Sequence, residues 1–423
     1  MVFSENEFDE VGFASAIEQM YTQPTQSRAR HAAAAPREVG QSACTVVLGG
    51  GIGGLVAARE LRRHLPTDHR IVVVDREREH VFQSSLLWQM VGKRRPSQFS
   101  RPLVRLENME IEFKNAEASS LDLEGRVVET TAGELAYDSL VIALGARLAP
   151  EAVPGLAEMA LNLYTAEGCA RIHAALDSLR EGVVAVLIPE LPFKCPAAPY
   201  EAAFLAESFL RKKGIRRNVE IHLFTPEHTP LPVAPAVLGE AIEEMLAARG
   251  IHHHRLFTFE SLRLETHEIV ASDGQAHRVD LLLAVPPLRA PDVVRSSALL
   301  GLSGFVHVDR ETLQTDYEDV YAIGDVATIK LPNGKALPKA GVFAHAEAKT
   351  VASRIAQAAV GRAPDAVFDG HGYCWIELGD GRAGFAGGDF YADPAPQIKL
   401  RRSGPTLHWG KVAFEKWWLH HWL

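Results

Sequence analysis

Two segments of the chain carry residues that could do chemistry, and each follows an apolar stretch of the same kind. In the first, Gly49, Gly51 and Gly54 form the pattern G-x-G-x-x-G. These glycines permit a tight turn, a close approach of the backbone to a pyrophosphate and close packing of a helix on the strand. The second stretch, residues 183–189, runs into ELPFKCPAAPYEAA, which has prolines and Cys195 where glycines would be needed. The chain is therefore expected to bind one dinucleotide at the first segment and to exchange electrons with a sulfur substrate at Cys195.

The context of the glycine motif favours a dinucleotide site. An apolar strand precedes it, and a helix follows whose apolar residues recur at helical spacing, namely Leu55, Ala58, Leu61 and Leu65. The free N–H groups and the positive end of the helix dipole would meet the phosphates. Asp75 ends the next strand, IVVVD, 24 residues after Gly51. This is near the spacing at which a carboxylate meets the adenosine ribose.

Two later segments indicate that the dinucleotide is FAD. Residues 135–147 form an apolar strand that ends at Gly145, and residues 320–327 form another that ends in Gly324 and Asp325. A strand followed by Gly-Asp can place a carboxylate beside the ribityl chain of a flavin. Together with the glycine loop, these segments resemble the FAD domain of the pyridine nucleotide–disulfide oxidoreductase superfamily. We therefore predict an α/β fold with two Rossmann-like domains, a FAD domain with an inserted second domain, and a C-terminal module.

Within that superfamily, the chain from about Cys44 onward resembles the sulfide:quinone oxidoreductases and the flavoprotein subunit of flavocytochrome c sulfide dehydrogenase. The segments that carry the resemblance are FKCPAAPYE, DLLLAVPP, YAIGDVA, LPKAGVFAHAEA and GYCWIE. The resemblance implies that Cys195 and Cys374, 179 residues apart, meet above the flavin. It also implies that Glu201 moves a proton and that Lys339 lies near the flavin, where a cation favours the reduced anionic form and a thiolate.

Each of these residues also has a plainer interpretation. Cys195 could be a small buried hydrophobic residue, Glu201 a surface acid in the first turns of a helix, and Lys339 a loop lysine before a helix. The chain also departs from the family pattern. The third cysteine of many sulfide:quinone oxidoreductases is missing, and Tyr164 stands near its place with Cys169 a little later. Ser84 stands where the sulfide dehydrogenase flavoprotein links FAD covalently, so we expect no thioether link there.

The implied reaction is oxidation of sulfide, or a related sulfur species, with transfer of electrons through FAD to a quinone. Hydrosulfide attacks a disulfide sulfur and expels a thiolate, and the cofactor carries the hard redox step. Three alternatives stay open. The first is an enzyme of the same family with a cytochrome or other acceptor, and the second is an enzyme resembling a type-II NADH dehydrogenase. The third is a non-enzymatic flavin redox sensor. The NADH reading would need a glycine loop after residues 183–189, and the sequence has none.

Composition restricts partners and location. Four cysteines in 423 residues are no disulfide framework, and no C-x-x-C or C-x-x-x-x-C pair occurs. The net charge of −9 argues against nucleic acid. The N-terminus is acidic and shows no signal peptide, and no run of eighteen apolar residues exists. We expect a cytoplasmic or peripheral membrane protein whose partners are a small sulfur substrate and a quinone, and a homo-oligomer is compatible with the sequence.

The domain boundaries follow from these segments. Residues 1–40 form an N-terminal extension, in which Phe13, Ile17 and Tyr21 could line a short helix. Residues 41–150 and 286–360 form the FAD domain, and residues 151–285 form the second Rossmann-like domain, with strands expected near 183–189, 219–225 and 279–285. Residues 361–423 form the C-terminal module.

Two further clusters need an interpretation. The tail contains four of the six tryptophans, together with Lys411 and Glu415 as a polar stripe. This composition favours a membrane-interface helix, whose removal from residue 408 onward would leave the flavin chemistry intact. A helix folded onto the protein is the alternative. His252, His253 and His254 alternate between the two faces of a strand and cannot converge on one ion, so no metal site is expected.

Overall fold

The computed structural model describes residues 42–423. The predicted N-terminal extension and its short helix lie outside the described residues. The predicted fold class is confirmed: two parallel sheets, each covered by helices, are followed by an antiparallel module.

The first sheet is parallel and has the strand order β21-β9-β1-β2-β5. Its strands are β1 (Cys44–Leu48), β2 (Arg70–Asp75), β5 (Glu112–Asn115), β9 (Ser139–Ile142) and β21 (Val320–Ala322). All five residues of β1 are buried, because helices cover a parallel sheet on both faces and its central strands become continuous apolar runs. Helix α1 (Ile52–His64) connects β1 to β2 and packs against α9 (Gly341–Ala359).

The second sheet has the same architecture and lies between β9 and β21 in the chain. Its order is β11-β18-β12-β13-β14, and all its pairings are parallel. The strands are β11 (Ala160–Asn162), β12 (Gly182–Leu187), β13 (Val219–Phe224), β14 (Ile251–His254) and β18 (Leu281–Ala284). The chain enters and leaves this sheet side by side, because Arg147–Leu148 (β10) pairs antiparallel with Leu288–Arg289 (β19). This crossing is close to the predicted domain boundaries at 150 and 285.

Small sheets lie outside the two parallel sheets. They are formed by β3 (Glu79–Val81) with β4 (Ser100–Pro102), β6 (Ala118–Asp122) with β7 (Val127–Thr130) and β8 (Gly133–Ala136), β15 (Phe259–Arg263) with β16 (Glu268–Ala271) and β17 (Ala276–Arg278), and β20 (Val306–His307) with β22 (Ala327–Thr328). The remaining helices are α2 (Leu86–Met90), α3 (Pro96–Phe99), α4 (Leu156–Met159), α5 (Ala166–Ser178), α6 (Ala198–Lys212), α7 (Ala236–Ala248) and α8 (Asp292–Arg295). Short 3-10 helices span Gln83–Ser85, Leu103–Met109, Pro150–Ala152, Arg216–Asn218 and Gly324–Val326.

The C-terminal module is a three-stranded antiparallel meander and one helix. The strands are β23 (His371–Gly379), β24 (Arg382–Asp389) and β25 (Gln397–Gly404), and the helix is α10 (Pro405–Trp422). Strand β23 packs on α6 of the second sheet and α10 packs on β24. The module therefore touches both Rossmann-like units, and its apolar residues join the main core.

The helix predicted to lie at a membrane interface is docked on the protein along much of its length. Trp418 is 1% exposed, Trp422 is also buried, and of the four tail tryptophans Trp409 is the exposed one at 62%. The predicted polar stripe is buried as well, since Lys411 and Glu415 both point into the protein and form ion pairs. The alternative, a helix folded onto the protein, is the observed arrangement. In the described part of the chain, no helix combines the length and apolarity needed to cross a membrane.

Candidate active site between the two sheets

A cavity of about 1600 Å³, counted with its open mouth, lies where the two sheets and the C-terminal module meet. It sits at the carboxyl ends of the strands, where open α/β sheets bind their ligands. Eight of the eleven predicted site residues line it: Gly51, Gly145, Cys195, Glu201, Gly324, Asp325, Lys339 and Cys374. The other three do not line it: Gly49 lies in the glycine loop, Gly54 in the first turn of α1 and Asp75 at the end of β2.

The glycine loop has the geometry that a pyrophosphate requires. Gly49 has φ +105°, and a Cβ there would lie 2.4 Å from the carbonyl oxygen of Ala143. A Cβ on Gly54 would lie 1.8 Å from the carbonyl oxygen of Gly49, so that position holds the helix against the strand. Around Gly51 a Cβ would meet no atom within 4 Å, and helix α1 begins there without a side-chain cap. Open space in front of uncapped N–H groups at a helix N-terminus fits the phosphates of a dinucleotide.

Asp75 lies beside this loop and stabilises it. Its Oδ2 accepts a hydrogen bond from the Gly50 N–H at 2.5 Å, and its Oδ1 accepts one from the Glu77 N–H at 2.8 Å. The carboxylate does not line the cavity, and its contact with a ribose stays a prediction.

Gly145 and Gly324 follow neighbouring strands and both adopt positive φ, at +65° and +71°. The N–H of Gly324 donates to Glu347 Oε2 at 2.6 Å, and burial raises the pKa of Glu347 to about 7. Asp325 comes next and is half-buried on the cavity wall. This places a carboxylate near the carboxyl ends of β9 and β21, and its contact with the ribityl chain of a flavin stays a prediction.

Cys195 is fixed by its backbone. Its φ of +49° is unusual for a residue with a side chain, and two hydrogen bonds fix it on either side. Its N–H donates to the carbonyl oxygen of Lys339 at 2.7 Å, and its own carbonyl oxygen accepts from the Ala198 N–H at 2.8 Å. The loop thus links the second sheet to the lysine loop that precedes α9, and it presents the thiol to the cavity.

Cys374 reaches the same cavity from β23. Both thiols are free and half-buried. Burial first, then the neighbouring Glu201 charge, raises the pKa of Cys195 to about 12. Burial also holds the pKa of Cys374 well above its ordinary value, and the nearby Cys195 and Glu201 add to this effect. The structure thus brings the two cysteines into one electrostatic environment across 179 residues of sequence.

Glu201 is 2% exposed, which excludes the surface-acid interpretation. Its Oε1 accepts from Lys411 Nζ at 2.8 Å and from the Glu377 N–H at 2.8 Å. Burial alone would lower the pKa of Lys411, but the charges of Glu201 and Glu377 outweigh it and raise that pKa above its ordinary range. A permanent cation therefore lies beside the two cysteines and lowers the pKa of both thiols against the opposing effect of burial.

Lys339 is also buried, so it is no ordinary loop lysine. Its Nζ donates to the carbonyl oxygens of Asp325 at 2.7 Å and Ala327 at 2.9 Å, and it lies 3.7 Å from the centre of the Phe305 ring. Burial lowers its pKa to about 8. The residue joins the Gly324–Asp325 turn to the Cys195 loop, and it can bring a positive charge to the cavity wall.

Tyr164, which stands near the place of the missing third cysteine, supports the Cys195 loop. Its hydroxyl donates to the carbonyl oxygen of Lys194 at 2.5 Å, and the Lys194 ammonium lies 5.3 Å from its ring centre. Lys194 Nζ continues to Gln83 Oε1 at 2.9 Å. Ser84 lines the cavity next to Gln83. Of the four cysteines, Cys195 and Cys374 line the cavity.

The geometry after β12 is unsuited to a second dinucleotide. Helix α6 follows the Cys195 loop, and its first turn contains Pro199 and the buried carboxylate of Glu201. A pyrophosphate at this helix N-terminus would meet a negative charge and would lack glycine N–H groups. The buried charge of Glu201 thus disfavours a nicotinamide dinucleotide at this position, in addition to the missing glycines.

Sequence reasoning missed several residues of this cavity. Lys411, Phe414, Glu415 and Trp418 all come from α10. Phe414 stacks on Trp375 of β23 with ring centroids 5.2 Å apart, and Glu415 pairs with Arg94 at 2.7 Å. One feature of the sequence could have identified them: Lys411 and Glu415 lie among aromatic residues of the same helix. Charged residues on an apolar helix can be buried if each has a partner of opposite charge.

Comparisons with known proteins identify the family of the chain. The family model described as pyridine nucleotide-disulphide oxidoreductase matches residues 44–186 and 200–362. The mitochondrial sulfide:quinone oxidoreductase of Mus musculus is 27% identical over 401 residues, which cover 88% of this chain and 86% of that protein. The sulfide-quinone reductase of Aquifex aeolicus is 28% identical over 395 residues, covering 88% and 90%. An X-ray structure of the sulfide:quinone oxidoreductase from Aquifex aeolicus superposes with a TM-score of 0.81 at 26% identity, covering 90% and 91%.

The family match spans well over half of the chain, and it confirms the predicted resemblance, the predicted cofactor FAD and the predicted class of oxidoreductase. The open cradle at Gly51 and the cavity that joins it to the two cysteines fit that cofactor. The chain belongs to the pyridine nucleotide-disulphide oxidoreductase family.

Proposed function

We propose that the protein oxidises sulfide at Cys195 and Cys374 and passes the electrons through FAD to a quinone. The observation that carries the proposal is the meeting of two cysteines, 179 residues apart, with the dinucleotide loop in one cavity. The resemblance to sulfide:quinone oxidoreductases over nearly the whole chain supports the choice of donor and acceptor.

The reaction starts from a disulfide between the two cysteines. Hydrosulfide forms a bond to one sulfur, the S–S bond breaks, and the products are a persulfide on one cysteine and a thiolate on the other. A second nucleophile removes the outer sulfur and leaves two thiolates. Their electron pair is released when the disulfide reforms. FAD, when bound, supplies the two-electron acceptor and hands the electrons on to the quinone.

The protein residues control charge and protons during these steps. Lys411 stabilises each thiolate as it forms, because its charge lowers the pKa of both cysteines. Glu201 receives its two hydrogen bonds on Oε1, so Oε2 is the oxygen that exchanges a proton with the incoming sulfur or a thiol. Tyr164 and Lys339 hold the Cys195 loop in place during the change of bonding.

The quinone is assigned to the aromatic side of the cavity. Tyr373, Trp375, Phe414 and Trp418 line it, and aromatic faces stack well on a flat ring. The acceptor therefore approaches between β23 and α10, next to the cysteines. A cytochrome acceptor would dock on the surface and would not need this aromatic wall.

A membrane surface is the partner that would supply such a quinone. The start of the C-terminal helix exposes Trp409. The edge strand β25 exposes Leu400 and three bases close to it in sequence, Lys399, Arg401 and Arg402. Exposed aromatic and basic residues favour contact with an anionic lipid surface. The start of the C-terminal helix would then contact the lipid surface, while the rest of the helix packs in the protein core.

One experiment tests the donor. The purified yellow protein is mixed anaerobically with sulfide, and separately with NADH, while the flavin absorbance is followed. Sulfide should bleach the flavin quickly and NADH should not, because the loop after β12 has a carboxylate and prolines where a pyrophosphate would bind. Fast bleaching by NADH would overturn the proposal in favour of an enzyme resembling a type-II NADH dehydrogenase. If sulfide bleaches the flavin but steady turnover with quinone is absent, the protein is a redox sensor or uses another acceptor.

A further inference from the structure

The edge of the second sheet brings together side chains that lie far apart in sequence. Strands β13 and β14 pair in parallel with His222 opposite His252 and Phe224 opposite His254. Side chains two residues apart in a strand share a face. Glu220 and His222 on one strand therefore lie on the same face as His252 and His254 on the next.

The distances within this group suit a metal ion. Glu220 Oε2 and His222 Nε2 are 3.3 Å apart, and the ligand atoms of Glu220, His222 and His252 all lie within 4.8 Å of one another. Two ligands of a tetrahedral zinc with bonds of about 2.0–2.1 Å stand about 3.3 Å apart. One pair already has this spacing. Glu220 and His252 are exposed, so small rotations of their side chains can close the rest.

A fourth residue orients the central histidine. His254 Nε2 lies 2.9 Å from His222 Nδ1, so one ring donates a hydrogen bond to the other. His254 is itself held by stacking on Phe224, with ring centroids 4.3 Å apart, and by His277 at 5.1 Å. This directs the Nε2 atom of His222 toward Glu220. Metal-binding histidines characteristically have their second nitrogen fixed in this way by a neighbouring group.

The sequence argument against a metal considered the three adjacent histidines and found no second cluster of ligands. It was right that they do not converge: His253 points to the opposite face, where its ring meets Tyr200 at 5.9 Å. The second set of ligands comes from β13, about thirty positions earlier, and only the parallel pairing of the strands reveals it.

The geometry points to a binding site for a divalent transition metal, Zn²⁺ in particular, formed by Glu220, His222 and His252 with His254 as a positioning residue. Two imidazoles and a carboxylate are ligands that zinc accepts, and three protein ligands leave a fourth position for water. None of the four residues lines the cavity with the cysteines. The ion would tie the edge strand β14 to β13, and it would stabilise the second domain without entering the sulfide chemistry.

The test uses the full-length holoprotein without a histidine tag, in a Cys195→Ser/Cys374→Ser background so that the active-site thiols cannot bind the ion. Zn²⁺ is titrated by calorimetry, and the unfolding temperature is measured with and without Zn²⁺. One ion should bind per chain and raise the unfolding temperature. Single substitutions His222→Gln, His252→Gln and Glu220→Gln should each weaken binding about tenfold or more, and His254→Gln should weaken it about 10- to 100-fold through the orientation of His222.

The matched control is His253→Gln, which changes the neighbouring histidine of the same strand on the opposite face and should bind Zn²⁺ as the parent does. X-ray absorption on the zinc-loaded Cys195→Ser/Cys374→Ser parent gives a second readout that does not depend on any substitution of the proposed ligands. Nitrogen and oxygen neighbours at about 2.0–2.1 Å support the site, whereas sulfur at about 2.3 Å would place the ion on cysteines and overturn it. Equal binding by the parent and His222→Gln would overturn it too, as would equal losses in His252→Gln and His253→Gln.

Discussion

Lys411 of the C-terminal helix forms a buried ion pair with Glu201, at an Nζ–Oε1 distance of 2.8 Å. Glu201 lies in the first turn of α6, which starts just after the Cys195 loop. The two residues are 210 positions apart. The pair places one positive and one negative charge beside Cys195 and Cys374, and these charges shift the pKa values of the two thiols in opposite directions. The pKa values of both thiols therefore depend on a contact between the last helix and the second sheet.

This contact predicts opposite effects of two substitutions on the reactivity of Cys195. Glu201→Gln removes a charge that raises the pKa of Cys195, so the thiolate fraction and the rate of alkylation by iodoacetamide at pH 8 should rise. Lys411→Met removes a charge that lowers this pKa, so the rate should fall. Below the pKa of about 12, the rate should rise about tenfold per pH unit in all forms. The rate is read from the mass of the peptide that contains Cys195, in protein reduced anaerobically.

Each single substitution also breaks a buried ion pair by removing one of its two charges, which costs about 3–5 kcal/mol. The double variant Glu201→Gln/Lys411→Met serves as the control because it removes both charges and should recover much of the stability. If both single variants change the alkylation rate in the same direction, the effect comes from packing and the electrostatic explanation is wrong.

The cysteines themselves give the second prediction. Cys195→Ser and Cys374→Ser should each keep FAD and the fold but lose flavin reduction by sulfide by orders of magnitude, because the proposed reaction needs both sulfurs to break and reform the disulfide. Cys44→Ser and Cys169→Ser should stay active, since those thiols are buried in the core away from the cavity. Stopped-flow reduction of the flavin is the measurement. An active Cys374→Ser variant would leave Cys195 as a lone reactive thiol and contradict the two-cysteine reaction.

The parts of this site that the sequence predicted are those that short segments specify. The turn at Gly49 and Gly54 and the Gly324–Asp325 turn each follow a strand, and their geometry is set within a few residues. The expectation that Cys195 and Cys374 act together came from family resemblance, because no local pattern connects residues 179 positions apart, and it stays a prediction.

The parts that sequence reasoning missed depend on contacts between distant elements. The composition of the tail suits a membrane interface and a protein interior equally well. The tail helix can be buried only if Lys411 and Glu415 form ion pairs with other residues of the protein. Glu201 and Arg94 provide them, and neither can be identified as a partner before the helix is placed. The same holds for Glu220 and His252, which meet through strand pairing.

The packing of the tail predicts unequal effects of two tryptophan substitutions. Trp418→Ala should destabilise the protein by about 3–5 kcal/mol, as expected for a fully buried aromatic residue. Trp409→Ala on the same helix is the matched control and should change stability by no more than about 0.5 kcal/mol, because its side chain is exposed. Urea unfolding at a fixed excess of FAD measures both. Comparable stability of the two variants would mean that the helix is not docked in solution.

Trp409 has a separate role in the proposed contact with lipid. Trp409→Ala should lower binding to vesicles that contain anionic lipid, and Arg401→Gln/Arg402→Gln should lower it further, more strongly at low salt. Reduction of the flavin by sulfide should not change, since none of these residues lines the cavity. Leu302→Ser, another exposed apolar residue outside the tail, is the control in vesicle flotation. Unchanged flotation of the Trp409 variant would exclude this surface as the membrane contact.

Glu347 gives a prediction for the dependence of stability on pH. Burial raises its pKa in the folded protein to about 7, from an ordinary value of 4.5. Between these two values the folded protein holds a proton that the unfolded chain has lost, so the free energy of unfolding falls as the pH rises through this window. Below pH 4.5 the carboxyl group is neutral in the folded and the unfolded state. Above pH 7 it is charged in both states, so the free energy of unfolding stops falling with pH.

The substitution Glu347→Gln removes this titration and keeps a side-chain oxygen that can accept from the Gly324 N–H. The variant and the wild type should therefore have similar stability near pH 4.5. The variant should gain relative stability as the pH rises to 7, at about 1.4 kcal/mol for each unit of pKa difference, and the gain should stay constant above pH 7. Urea unfolding across this range, at a constant excess of FAD, measures the difference. A constant difference across the whole range would mean that Glu347 stays ionised in the fold and that the Gly324 turn is held by a carboxylate at all pH values tested.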